Sequence, residues 1–354
     1  MSSKVQSSCL KVSDARNEDV PSSLLSHSDQ KTSAISCVVV DSKARPIGQK
    51  TEFYIPLFYS EKVKNPGKSH VVKRVLLGHW VFAVIAWSCL SPHPVVNAFS
   101  LLLLTLSYWC VYEIGYQEND DIAAQCERVP TLSATYSQYR SRINLYTPWP
   151  WVWAVMFAIP GCLLFSLSQQ TADFSVLLQT LVSVDFSTFE STFANAAVGR
   201  DMLHFLPSWG AFLAIIRLTF WLYNRVNETT RVWVYPLLHV QQLFGFALLA
   251  GTNPVGILLL LSLTFSRWIK YCIYRCGGDR KRFPTNVSCL LLFTLLFTSL
   301  CLGSPDSASW LTGQAALAFA YCGLRSVKKI IKLKSSIGWL DRSSVNLHSL
   351  SRGV

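Results

Sequence analysis

The sequence predicts an all-α fold, a polytopic helical bundle embedded in a membrane with 8 to 10 transmembrane helices. Three observations carry this expectation. Of the 354 residues, 51% are hydrophobic and only 15% are charged. The apolar residues gather into runs close to the ~20 that a helix needs to cross a bilayer. All but two of the 32 Lys and Arg residues, Arg200 and Arg217, fall in alternate segments between those runs, as expected when positive loops stay on the cytoplasmic side.

Residues 1–50 are rich in Ser, mix both charge signs and lack a sustained apolar run, which predicts a disordered cytoplasmic extension without signal-peptide character. Residues 51–74 contain the stretch TEFYIPLFYSEKVKNPG and predict a segment docked on the membrane surface. The transmembrane domain, 75–323, divides into eight expected spans. These are Val75 to Leu90, Pro94 to Tyr116, Pro148 to Ser168, His204 to Tyr223, Val232 to Gly251, Pro254 to Tyr271, Val287 to Gly303 and Ala308 to Gly323. Trp149, Trp151 and Trp153 open the third as an interfacial belt. Residues 169–203 hold Asp173, Asp185, Glu190 and Asp201 around a short apolar stretch, Phe174 to Val184. A re-entrant helix on the outer side, or a pair of short spans, is expected there. Residues 324–354 form a basic cytoplasmic tail suited to anionic lipid. Both termini are thus expected in the cytoplasm, and the lack of an Arg-rich, acid-poor leader favours a bacterial cytoplasmic membrane.

The net charge of +12 does not indicate nucleic acid, because the basic residues flank membrane segments. Eleven cysteines include no CxxC pair, so neither a disulfide framework nor a zinc site follows. No internal repeat, P-loop, GxSxG or HExxH is present.

Chemistry is therefore sought in polar residues at membrane depth, where an ionisable group costs roughly 2.5 to 3.5 kcal/mol and usually faces a partner or a cavity. One cluster runs out of the second span from Glu113 through Asn119, Asp120 and Glu127 to Arg128, Pro130 and Thr131. On a helix, Glu113, Asp120 and Glu127 share a face by their seven-residue spacing. Grouped carboxylates suit Mg²⁺, which is held by one or two of them together with a substrate phosphate. The second cluster comprises Arg217, Asn224, Glu228 and Arg231, on one face if the helix does not break. Arg217 needs an anionic partner, with Glu113 the expected protein candidate and a substrate phosphate the functional one.

The first cluster resembles the NDxxDxxxD motif of the UbiA superfamily of intramembrane prenyltransferases. Asn119 and Asp120 match its opening and Glu127 its last acidic position, while Ala123 replaces the middle aspartate. About 100 residues later, Tyr223-Asn224-Arg225-Val226-Asn227 resembles the second motif, YDxxD, with both aspartates become asparagines. The resemblance implies a UbiA-like bundle open to the cytoplasm and to lipid. It also implies transfer from an isoprenoid phosphate or diphosphate to a small-molecule or lipid acceptor. Asp120, Glu127 and Glu113 would be catalytic, Asn119, Asp120, Glu127 and Glu228 would hold Mg²⁺, and Arg217, Arg231, Arg128 and Asn224 would hold phosphate. Loss of the carboxylates at Ala123, Asn224 and Asn227 keeps three other readings open: phosphoribosyl or glycosyl transfer to a polyprenyl phosphate, a lipid or ion transporter, and a non-catalytic membrane scaffold.

Overall fold

A computed structural model describes residues 54–126, 132–140, 147–170, 196–250, 253–279, 283–304, 311–327 and 329–331, with positions 130 and 145; for 196–200 and Glu228 it describes the backbone alone. Among the described residues all regular structure is helical, and six helices are long and apolar enough to cross a membrane. The chain is a helical membrane protein. The expected extension 1–50, most of 169–203 and most of the tail lie outside the described residues.

Two short helices, α1 (Tyr59–Lys64) and, after α2 and α3, α4 (Tyr136–Tyr139), lie outside the long ones. The six membrane helices are α2 (Val71–Ser88), α3 (Pro94–Cys126), α5 (Trp149–Ser168), α6 (Ala196–Arg225), α9 (Pro254–Arg275) and α10 (Thr285–Gly303). They correspond to six of the eight expected spans. Where Val232 to Gly251 was expected to cross as one piece, there are two, α7 (Glu228–Phe244) and α8 (Ala247–Ala250). Gly245 sits at the joint, where a Cβ would stand 2.1 Å from the Phe212 ring. The last expected span is represented by α11, residues 313–327.

Local sequence explains the breaks. Asn227 ends the run of α6 and caps α7, its side chain accepting the Thr230 N–H at 2.8 Å. Asn253 does the same for α9, accepting the Gly256 N–H at 3.0 Å, with Pro254 in the first turn where its missing N–H costs nothing. At the end of α2 the orphan carbonyls find side chains instead. Asn253 Nδ2 donates to Ala86 at 2.7 Å and Gln314 Nε2 to Ile85 at 2.8 Å.

Helix α3 is the central element: 67% of its apolar window is buried, against 17% for the peripheral α10. It packs on α5 along most of its length and also on α2 and α6. Successive contacts from α3 to α5, α6, α7 and α9 return through α2 to α3. Gly115 sets the approach of α3 to α6, because a Cβ there would stand 2.2 Å from the Phe220 ring. At 33 residues α3 is ~50 Å long, well beyond a ~30 Å hydrocarbon core, so one end projects past the apolar layer. That end carries the acidic residues.

Candidate functional site

The last turns of α3 present carboxylates in two directions. Glu113 and Asp120, seven residues apart, lie on one face as the spacing predicts, while Glu118 points roughly 140° round the helix from Glu113.

Glu113 is fully buried. Its carboxylate accepts the Tyr54 hydroxyl at 2.6 Å, the Leu57 N–H at 2.9 Å and the Ser60 N–H at 2.7 Å. These donors lie on the segment that leads into α1, so Glu113 caps that helix from a neighbouring one. Asp120, also buried, accepts the Tyr59 hydroxyl at 2.7 Å and pairs with Lys64. Burial and the adjacent Glu113 carboxylate hold the Tyr54 phenol well above its ordinary pKa, and burial with Asp120 does the same to Tyr59. Both phenols therefore stay protonated and donate. This face of α3 anchors residues 54–64.

Glu118 meets α6. It accepts from Arg217 Nη1 at 2.6 Å, Asn224 Nδ2 at 3.2 Å and Arg225 Nη1 at 3.4 Å. Arg217 thus pairs with Glu118 and not with Glu113, whose oxygens are already taken by Tyr54, Leu57 and Ser60. Helical periodicity told which acids share a face but not which face looks at α6. No family model, curated protein or solved structure matches this chain.

The remaining sequence candidates fall around this centre. The Asn119 amide lies 3.5 Å from Asp120 Oδ1. Asn224 is buried, with its Oδ1 free of any hydrogen-bond partner among the described residues. Because the helix breaks before Asn227, Arg231 belongs to α7 rather than to the face of Arg217 and Asn224. It donates to the Val226 carbonyl at 3.2 Å and stands 5.6 Å from the Tyr223 ring centre, closing the end of α6. Glu127, Arg128 and the side chain of Glu228 lie outside the described residues. The described donors do not fit a Mg²⁺ site: Lys64 and Tyr59 occupy Asp120, and no trio of His, Cys, Asp or Glu among the described residues is grouped to hold a metal.

Sequence reasoning missed a third constellation between α2, α3, α7 and α9. Gln242 Nε2 lies 2.9 Å from His79 Nδ1, and Gln242 Oε1 lies 3.2 Å from His239 Nδ1 and 3.3 Å from Arg267 Nη1. Arg267 also donates to the Gly78 carbonyl at 3.0 Å. His79 stacks on Trp109 with ring centres 5.3 Å apart, and His70 meets the same ring edge-on at 5.6 Å. In the sequence Arg74 and Arg267 read only as positive charges at the ends of spans, and their partial burial emerges from packing.

His70, just before α2, makes stability depend on pH. Burial, followed by the charges of Arg74, Lys64 and Lys68, lowers its pKa from 6.5 to about 3. The folded state therefore resists a proton that the unfolded state accepts below about 6.5. Stability is full above that pH and is lost as pH falls toward 3, by up to about 1 kcal/mol per unit. Unfolding midpoints in detergent between pH 7 and 5 should decline, and His70→Gln should flatten the decline. A His70→Gln profile with the wild-type slope would show that another group is responsible.

Proposed function

We propose that this chain is a UbiA-like membrane transferase acting on an isoprenoid phosphate or diphosphate at the cytoplasmic face of a bacterial cytoplasmic membrane. In this reading both termini are inside, and α7 with α8 and α11 are further membrane elements, giving the eight-span arrangement. One observation carries the reading. Glu118, the residue immediately before the first segment that resembles a UbiA motif, accepts from Asn224 of the second at 3.2 Å, with Arg217 on the same carboxylate. A merely charged loop end has no need to meet the second segment.

Arg217 and Arg225 are the phosphate contacts in this proposal. Each offers a planar fork of donors matched to phosphate oxygens, and Glu118 holds both forks where a substrate phosphate exchanges for it. Transfer breaks the bond between the allylic carbon and the diphosphate oxygen, and the electron pair leaves with that oxygen. The acceptor then bonds to the carbon and gives up its proton. Guanidinium charge fixed beside the departing oxygen stabilises it. Tyr112, Tyr116 and Phe220 form an edge-to-face set beside this centre, with ring centres 4.6 to 6.1 Å apart, and suit a cationic isoprenoid carbon. With Asp120 held by Lys64 and Tyr59, no step of the proposal runs through Mg²⁺, and the leaving-group charge falls to the arginines.

The test is turnover of labelled prenyl diphosphates and polyprenyl phosphates by the purified protein, with Mg²⁺ and with chelator. Arg217→Gln should lower kcat/KM about 100-fold. A specific observation also favours a non-catalytic scaffold: besides the lost carboxylates at Ala123, Asn224 and Asn227, the retained Asp120 and Glu118 are committed to ion pairs. Wild-type protein that consumes none of these substrates in either condition would replace the transferase reading with that one.

A further inference from the structure

The constellation between α2, α3, α7 and α9 has a feature that neither the motifs nor the transferase reading uses. Arg74, on α2, makes no hydrogen bond or ion pair with any described residue, and its Nε is closed off from solvent with no partner. Arg267 reaches α2 from α9 at the Gly78 carbonyl, one helical turn beyond Arg74 on the same face, so two like charges share one half-buried region, and neither has a salt bridge to a described residue. Proteins avoid such a pairing unless something compensates it, because an uncompensated buried charge is strongly destabilising.

Three of the unsatisfied atoms around the two arginines are donors. Gln242 Nε2 can only donate, so His79 Nδ1 accepts and the ring proton sits on Nε2. That Nε2–H is buried without a partner, as are Trp109 Nε1–H and the Tyr108 hydroxyl. His79 and Tyr108 are each 3% exposed and Trp109 is 0%. The three are linked to Arg267 in a chain of contacts: His79 and Arg267 share Gln242, Trp109 stacks on His79, and the Tyr108 ring centre lies 6.1 Å from that of Trp109. Three orphan hydrogens and the Arg74 Nε–H leave donors with no acceptor among the described residues. Their complement is a multivalent anion whose oxygens only accept.

We propose that Arg74, Arg267, His79, Trp109 and Tyr108 form an anion site that takes a phosphate monoester or diphosphate without a metal ion. The site is built from residues other than Glu118, Arg217 and Arg225. The proposal does not rest on the transferase reading, since an enzyme, a transporter or a scaffold could carry such a site. Free phosphate and the headgroup of a lipid share the required chemistry.

Thermal unfolding of the full chain in detergent with EDTA separates the outcomes. Inorganic pyrophosphate or farnesyl phosphate, titrated to a hundredfold excess over its apparent Kd, should raise the melting temperature by about 5 °C in a saturable way. Arg74→Gln should abolish that rise while its own melting temperature, without added anion, stays at or above wild type, since the substitution removes an unpaired charge. Tyr108→Phe, which preserves packing, should weaken the apparent affinity several-fold. Arg217→Gln should leave the rise intact, which separates this site from the one proposed for catalysis. A rise with farnesyl phosphate but not with pyrophosphate would identify a lipid headgroup as occupant, and a rise with both would identify the phosphate itself. The proposal is overturned by no saturable rise with either anion, by an equal rise in Arg74→Gln, or by a large fall in the basal melting temperature of Arg74→Gln, which would make Arg74 structural.

Discussion

Replacing Glu118 with Ala should be the most destabilising single change in the described part of this protein. The carboxylate is largely enclosed, with 10% of its side chain exposed, and it neutralises Arg217 while satisfying Asn224 and part of Arg225. Its removal leaves Arg217 without an acid at membrane depth, and breaking a buried pair from one side costs about 3 to 5 kcal/mol. The Arg217 side chain is 29% exposed, so the lower end, about 3 kcal/mol, is expected. The measurement is a denaturant or thermal midpoint for Glu118→Ala, Arg217→Met and the double variant. In the double variant most of the loss should return, because no charge remains unpaired. Additive losses would show that the two residues act independently and that the ion pair does not hold α3 to α6.

Glu113→Ala should have the next largest effect, and a different one. Three donors, the Tyr54 hydroxyl and the N–H groups of Leu57 and Ser60, lose their acceptor together. Each orphaned buried donor costs about 1 kcal/mol or more, so a total of about 3 kcal/mol is at stake. Part of it can be relieved by residues 54–64 leaving their place for water. The expected result is thus local: faster hydrogen exchange at Leu57 and Ser60 and new proteolytic cleavage between Tyr54 and Lys68, with a smaller fall in the global midpoint. Glu113→Gln should be intermediate, since one amide oxygen remains to accept. Unchanged exchange at Leu57 in Glu113→Ala would mean that Lys64 and Tyr59 on Asp120 hold the segment without help from Glu113.

These two residues also show what could be read in advance. Glu113 was singled out because a carboxylate inside an apolar run demands a partner, and it has one. Its partners come from Tyr54, Leu57 and Ser60, two of them backbone groups, which no pattern of side chains announces. Glu118 lies off the seven-residue row of Glu113, Asp120 and Glu127, so the periodicity of the acids does not single it out. The asparagines at 224 and 227 were noted as lost aspartates. In the folded chain Asn224 bonds Glu118 and Asn227 caps α7, tasks an uncharged amide performs well.

The sequence by itself determined that this is a helical membrane protein, where most of its helices lie, and that its charged residues gather at the ends of apolar runs. Those features follow from local quantities: the apolar length required by a bilayer, the period of a helix and the cost of charge in hydrocarbon. Only the tertiary structure decided which acid neutralises which arginine. It alone showed that α7 begins anew at Asn227, and that Arg74 and Arg267 meet on one face of α2 with no ion pair to a described carboxylate. Those facts depend on the rotation and close approach of neighbouring helices, set by contacts such as Gly115 against Phe220 between residues distant in the chain. A one-dimensional pattern records which side chains share a face, whereas the energy of a buried charge depends on what that face meets.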